Sequence, residues 1–396
     1  MNKFGMNLLT MLNKFGINMF MITRTLLNKI KNSERKGFIT VIYGPRRVGK
    51  TVLIDQIIKK GRSIKSIVFN GDTEETRNLL SSTSEVKLTG AVERYDLIAV
   101  DEAQRIENIG LSLKIIIDKF PEKKIYVTGS SSIDIARGLK ETLTGRTIKH
   151  KLYPLSVKEL TAELDDYMRP STLENQLIYG GYPYLQKLSL DSEKQEYLES
   201  IVEDYLFRDI LLLKDVGKPD VLKKLAALLA FQIGSEVSMH ELSNKLEISV
   251  NTVARYISLL KQSFVIFEHG TYSSNLRKEV AKAKKYYFWD LGIRNAVIRQ
   301  YFDLNSRKDV GGLWENFLAV ERLKKQEYSA SQVSNYFWRT YQKAEIDWIE
   351  IGKNNEISAF EFKYSPKNLK TPRVFLEKYK TQVSQVNREN YLDFIL

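Results

Sequence analysis

Residues 44–51 read GPRRVGKT, the stretch of this 396-residue chain whose side chains and spacing carry the most specific chemistry. Gly44, Pro45, Arg46, Arg47, Val48, Gly49, Lys50 and Thr51 match the pattern G-x-x-x-x-G-K-[ST] in full. Such a loop wraps backbone N–H groups around an anion and delivers it to a helix N-terminus, whose partial positive charge favours it. The Lys50 ammonium is then expected to reach the β- and γ-phosphates, and the Thr51 hydroxyl to coordinate Mg2+. Further on, the apolar run DLIAV ends in Asp101-Glu102. Asp101 is the expected metal partner, and Glu102 the carboxylate that would polarise an attacking water. ATP and Mg2+ are the expected ligands and hydrolysis the expected reaction. A kinase is disfavoured, because no acceptor site is evident and the Asp-Glu pair suits water.

Those side chains need a scaffold, and residues 38–131 supply one in outline. FITVIY (38–43), SIVFNGD (66–72), DLIAVDE (96–102) and KKIYVTGSS (123–131) read as short buried strands. TVLIDQIIKK (51–60) and LSLKIIIDKF (111–120) have helical periodicity. Apolar strands separated by helices predict an α/β fold with a parallel sheet covered on both faces. The fourth strand ends in TGSSS, and Ser130 is the residue expected there to orient water or sense the γ-phosphate, with a helix cap as the alternative. Arg146, in the turn LTGRTIKH, is placed either to stabilise transition-state charge, in cis or on a neighbour, or simply at the surface.

GPRRVGKT, an apolar run into DEAQ, TGSSS, LTGR and LYPLSVKEL (152–160) together resemble a group of prokaryotic AAA-type ATPases. GGYP (180–183), YLFRDI (205–210) and WENFLAVE (314–321) resemble motifs of the C-terminal region that follows the ATPase module in that group. The resemblance spans the chain from about Met21 onward and implies ATP binding and hydrolysis.

Composition narrows the rest. Lys plus Arg outnumber Asp plus Glu by 61 to 48, a net charge of +13, and such a field attracts polyanions, DNA among them. There is no cysteine, hence no disulfide framework and no thiolate ligand, and a cytoplasmic location is the default expectation. His150, His240 and His269 are scattered, which disfavours a histidine metal site. No run approaches the roughly 20 apolar residues of a membrane helix. Residues 1–37 are read as an extension and leading helix: NKFG occurs twice, at 2–5 and 13–16, and Met21 or a neighbour is an alternative start.

Two further constellations lie downstream. SMHELSNKLEISVNTVARYISLLKQSF has the layout of a helix-turn-helix, and VIFEHGTYSSNLRKE followed by KKYYF would make a wing. In a DNA-binding reading Asn251, Thr252 and Arg255 face a groove, while Lys261, Arg277 and Lys278 meet phosphates; winged helices also dock proteins. EIDWIEIGKNNEISAFEFKY reads as a hairpin with Asp347 opposite Glu361 and Lys363 on the same face. Asp…Glu-x-Lys resembles restriction-endonuclease-like (PD-(D/E)xK) sites, where two carboxylates hold Mg2+ and the lysine serves the water. Glu315 or Glu321 would complete it. Charged residues alternating with aromatics on a hairpin are equally ordinary. The expected order is an ATPase domain (38–155), a helical connector (156–215), a winged helix (216–300) and a nuclease-like α/β domain (301–396). A protein partner or homo-oligomer is expected as an alternative to DNA, and no membrane.

Overall fold

The computed structural model describes residues 22–61, 64–129, 143–203, 218–272, 284–340 and 342–396. They form two compact units, one ending at Tyr153 and one beginning at Pro154, with Gln262–Phe264 grouped with the first.

The first unit is built on β1 (Ile39–Tyr43), β2 (Ser66–Asn70), β3 (Leu97–Asp101), β4 (Lys124–Gly129) and β5 (Thr147–Lys151), all paired in parallel in the order β2-β3-β4-β1-β5. Helices Lys50–Lys60, Glu74–Leu80, Glu85–Val92 and Ile109–Lys119 lie between the strands in sequence. β3 is buried along its whole length, as an inner parallel strand under helices must be. Val41, Val100 and Val127 of the sheet share a core with Leu88, Leu113 and Ile117 of the helices. Burial of each such side chain contributes about 1.5–3 kcal/mol. The strand order has a direct consequence: β4 stands between β1 and β3, so three adjacent strand ends carry the phosphate loop, Thr128 and Asp101.

The second unit begins with helices Val157–Leu160, Leu173–Tyr179, Asp191–Ser200 and Pro219–Phe231. Helices Met239–Leu246 and Val250–Gln262 follow, turning at Glu247, whose φ of 53° reverses the chain. Leu242, Val253, Ile257 and Leu260 are buried, as the periodicity predicts. β6 (Glu236–Val237), β7 (Ile266–His269) and β8 (Lys284–Phe288) make an antiparallel sheet in the order β6-β8-β7. After helices Leu291–Val297 and Val310–Tyr328 comes a sheet of β9 (Ser334–Arg339), β10 (Glu345–Ile351), β11 (Ile357–Phe362) and β12 (Val383–Val386), ordered β12-β11-β10-β9. The architecture is therefore α/β, a parallel P-loop-type sheet with helices followed by a helical stretch, a helix pair on a small sheet, and a small α/β domain. Among the described residues no helix is long and apolar enough to cross a membrane.

Candidate functional site

The phosphate loop follows β1 directly and ends where the helix Lys50–Lys60 begins. Gly49 has φ 91° and ψ 34°, a left-handed conformation that costs glycine little and any other residue more. Arg47 is also left-handed, at φ 63°, and its side chain is exposed. Gly44 packs so closely on the Leu152 carbonyl that a Cβ would collide with it. Lys50 is buried, and its Nζ donates to the carbonyls of Gly44 (3.1 Å) and Pro45 (2.8 Å), which holds the ammonium over its own loop.

Thr51 Oγ1 donates to Asp101 Oδ2 at 2.7 Å. The other oxygen, Oδ1, accepts from the Thr128 hydroxyl and from the Glu102 N–H (3.1 Å). Asp101 and Thr128 are both buried, so the carboxylate is fixed from two sides. Glu102 is left-handed at φ 50°, a conformation that costs a non-glycine residue of order 1–3 kcal/mol and clusters at functional sites. Its Oε2 accepts from Gln104 Nε2 at 2.5 Å. The donor set fits a nucleoside triphosphate and Mg2+: an ammonium at the loop, a hydroxyl and a carboxylate paired at the metal position, and a second carboxylate beside them.

Ser130 lies outside the described residues; the polar residue on β4 that reaches the Asp101 carboxylate is Thr128. Arg146 is not brought to the phosphate loop of its own chain. Its carbonyl accepts from Ile39 N–H at the start of β1, the end opposite the loop, and its guanidinium pairs with Asp118. A residue unmarked in the sequence does support the site. Arg24 is buried, and its guanidinium donates to the Val48 carbonyl and the Tyr153 carbonyl, each at 2.6 Å. Only its position before an amphipathic helix could have drawn notice.

In the second unit, Asn251 and Arg255 are exposed on the helix Val250–Gln262, with Arg255 over the Tyr256 ring at 5.5 Å. Thr252 is engaged locally: its N–H and hydroxyl meet Ser249 Oγ at 3.1 and 2.9 Å. Lys261 and Lys284 both pair with Glu268, at 2.8 and 2.6 Å. Arg277 and Lys278 lie outside the described residues.

The motif at 180–183 meets two others around Asp290. Gly181 N–H donates to Asp290 Oδ2 (2.7 Å) and its carbonyl accepts from Leu155 N–H (2.7 Å). Val157 N–H donates to Glu321 Oε2 at 2.8 Å, and Lys324 Nζ bridges Glu321 (2.8 Å) and the Leu155 carbonyl (3.1 Å). Glu321 is thus part of this joint and not of the hairpin constellation. Burial pushes the Asp290 carboxyl above its ordinary value, against the pull of backbone N–H donors. The half-open cavity beside Asp290, about 20 Å³, has room for one water.

The hairpin constellation does assemble. The register Trp348↔Phe360 continues to put Asp347 opposite Glu361, and Asp347 Oδ2 accepts from Phe362 N–H at 2.8 Å. Lys363 Nζ donates to Glu361 Oε1 at 2.6 Å. Glu315 joins from the helix Val310–Tyr328, but on Lys285, a buried residue of β8 that sequence reasoning assigned to the wing. The Lys285 ammonium pairs with Glu315 (2.7 Å) and Glu345 (2.6 Å), and Tyr287 donates to Glu315 at 2.5 Å. Burial pushes the Glu315 carboxyl up to about 7, with Lys285 opposing, and raises Asp347 and Glu361 as well. An ammonium thus lies among the carboxylates of this constellation, and Lys363 is bound to Glu361.

Comparison with known proteins agrees with the first unit. Residues 36–161 match the AAA domain family, 170–304 match a domain of unknown function (DUF8612), and 310–392 match another (DUF4143). An uncharacterized protein of Methanocaldococcus jannaschii is 26% identical over 337 residues, covering 81% of this chain and 73% of its own length. One of Mycobacterium tuberculosis is 23% identical over 351 residues, covering 87% and 74%. Among solved structures, a Walker-type ATPase of Pyrococcus abyssi superposes with a TM-score of 0.50 at 17% identity, over 71% of this chain and 97% of that one, which is a likeness of fold. Fold, loop and family match define an AAA-type P-loop ATPase domain in the first unit.

Proposed function

We propose that this chain hydrolyses ATP and that its nucleotide state controls a DNA-facing C-terminal half. The observation that carries the reading is the Thr51–Asp101–Thr128 chain of hydrogen bonds across three strand ends, with Lys50 and Glu102 beside it. When bound, ATP supplies the scissile phosphoanhydride, and Mg2+ spreads the charge that develops on the transferred phosphoryl group. Lys50 exchanges its two loop carbonyls for phosphate oxygens. Thr51 and Asp101 would hold Mg2+, and Glu102, released from Gln104, would accept the proton of the attacking water. Turnover should vanish in Lys50→Ala, and should fall about 100-fold or more in Glu102→Gln with nucleotide binding kept. Turnover that survives Lys50→Ala would sink the reading.

For the C-terminal half, the exposed Asn251 and Arg255 on the second helix of the pair support a winged helix that engages duplex DNA. Salt-dependent duplex binding, weakened by Arg255→Glu, is expected, together with DNA-stimulated turnover. A second reading has its own observation. Thr252, Lys261 and Lys284 are already occupied within the protein, which favours a module that docks a protein partner or a second copy of the chain. Turnover indifferent to DNA, with assembly that depends on nucleotide, would select that reading.

A further inference from the structure

We propose that the carboxylate constellation of the C-terminal sheet is a metal-free ionic core, in which the Lys285 ammonium stands where such a constellation would hold a divalent cation. This constellation therefore does not cut phosphodiesters. The proposal goes beyond the ATPase reading and does not depend on it.

A hydrolytic site of this kind needs carboxylate oxygens turned toward a shared cation, and a lysine free to serve the attacking water. Neither condition is met. Glu315 spends Oε1 on Lys285 and on Tyr287. Glu345 gives Oε1 to Lys285 and faces Arg339 across 3.5 Å with Oε2. Asp347 Oδ2 is taken by the Phe362 amide, and Glu361 Oε1 by Lys363. Among the described residues no group of acidic and histidine side chains converges as a metal would require.

Lys285 is 1% exposed, and a buried ammonium persists only where its pairing is extensive. It comes from β8, Glu315 from the helix Val310–Tyr328 and Glu345 from β10, so one ammonium ties three elements. The join is reinforced by Arg339–Glu236 (3.0 Å) between β9 and β6, and by Tyr272 N–H donating to the Phe337 carbonyl (2.6 Å). The helix pair with its small sheet and the C-terminal sheet are in this way pinned together by charge.

The test titrates Mn2+ into the nucleotide-free full-length protein and follows free Mn2+ by EPR. The four proteins are wild type, Asp347→Asn, Lys285→Met and the double variant, and any ion taken at Thr51 and Asp101 is common to all. Wild type and Asp347→Asn should bind equally, whereas Lys285→Met should gain one site that the double variant loses. A wild type that binds one ion more than Asp347→Asn would overturn the proposal, as would a folded Lys285→Met that gains none. If Lys285→Met does not fold, the first comparison decides alone. Independently, Mn2+-dependent nicking of supercoiled DNA by wild type and not by Lys363→Ala would refute it.

Discussion

Arg24→Ala is the sharpest probe of how the phosphate loop is held. The guanidinium donates to two carbonyls, Val48 within the loop and Tyr153 at the end of the unit, each at 2.6 Å. A hydrogen bond from a charged donor contributes about 1.5–3 kcal/mol, and truncation lets water reach the two carbonyls, so the low end, ~3 kcal/mol for the pair, applies. For a unit of this size ~3 kcal/mol lowers the unfolding temperature by about 10 °C. Loss of the Val48 anchor also leaves about one more backbone residue to be ordered on binding, ~1–2 kcal/mol, or roughly a tenfold weaker nucleotide Kd. Arg24→Lys separates position from charge, because a single ammonium cannot span both carbonyls as the fork does; it should recover less than half of either loss. Thermal unfolding and binding of a fluorescent nucleotide analogue would be measured for all three proteins. An Arg24→Ala protein within about 2 °C and twofold of wild type would show that Arg24 is incidental to the loop.

Two further predictions concern the second unit. His269 is buried and stacked on Trp348 at 4.6 Å; burial, with Lys285 of β8 beside it, drives its imidazole down to about 3. Since the folded value lies below the ordinary 6.5, its contribution to stability is complete above about pH 6.5 and is lost as pH falls toward 3. Between pH 7 and 5 the loss is about 2 kcal/mol. Glu315, raised to about 7, acts in the opposite direction, so the measurement is the gap in unfolding free energy between wild type and His269→Gln; it should narrow by that amount at pH 5, and a constant gap would count against it. Gly180→Ala would strain a φ of 73° and drive its methyl into the Asp290 carboxylate, which pins Gly181 and caps the helix at Ile293 N–H (3.1 Å). A loss of about 3 kcal/mol or more in chemical denaturation is expected, and an unchanged midpoint would mean that Asp290 is free to move.

The loop, Asp101 and four of the five parallel strands were legible because each depends on local signals: β-branched apolar runs, a glycine pattern and a carboxylate at a strand end. β5 was not, since TIKHK is basic and sits at the sheet edge, paired only with β1. Thr128 and Ser130 stand two apart in the sequence TGSSS, and only the three-dimensional register of β4 between β1 and β3 brings the threonine to Asp101. Arg24 and Lys285 escaped for a common reason. Each is a cation whose partners lie far away in sequence, and periodicity tells which face a residue occupies, not which distant carbonyl or carboxylate will meet it. KKYYF shows the limit: alternation separates Lys284 from Lys285, yet nothing local says that the second is the buried one.

Residues 152–157 carry the chain from the first unit into the second, and they are anchored on both sides of Pro154. On the first unit's side, Leu152 N–H donates to the Tyr43 carbonyl at 2.8 Å, one residue before the loop, and Arg24 ties Val48 to Tyr153. Pro154 follows with its φ fixed by the ring, which removes one soft torsion from the connection. On the second unit's side, Leu155 is held at both its N–H and its carbonyl, and Val157 is held by Glu321. The chain on each side of Pro154 is thus hydrogen-bonded within its own unit. Three of the motifs that carry the resemblance, LYPLSVKEL, GGYP and WENFLAVE, meet within the second unit through Leu155, Gly181, Val157 and Glu321.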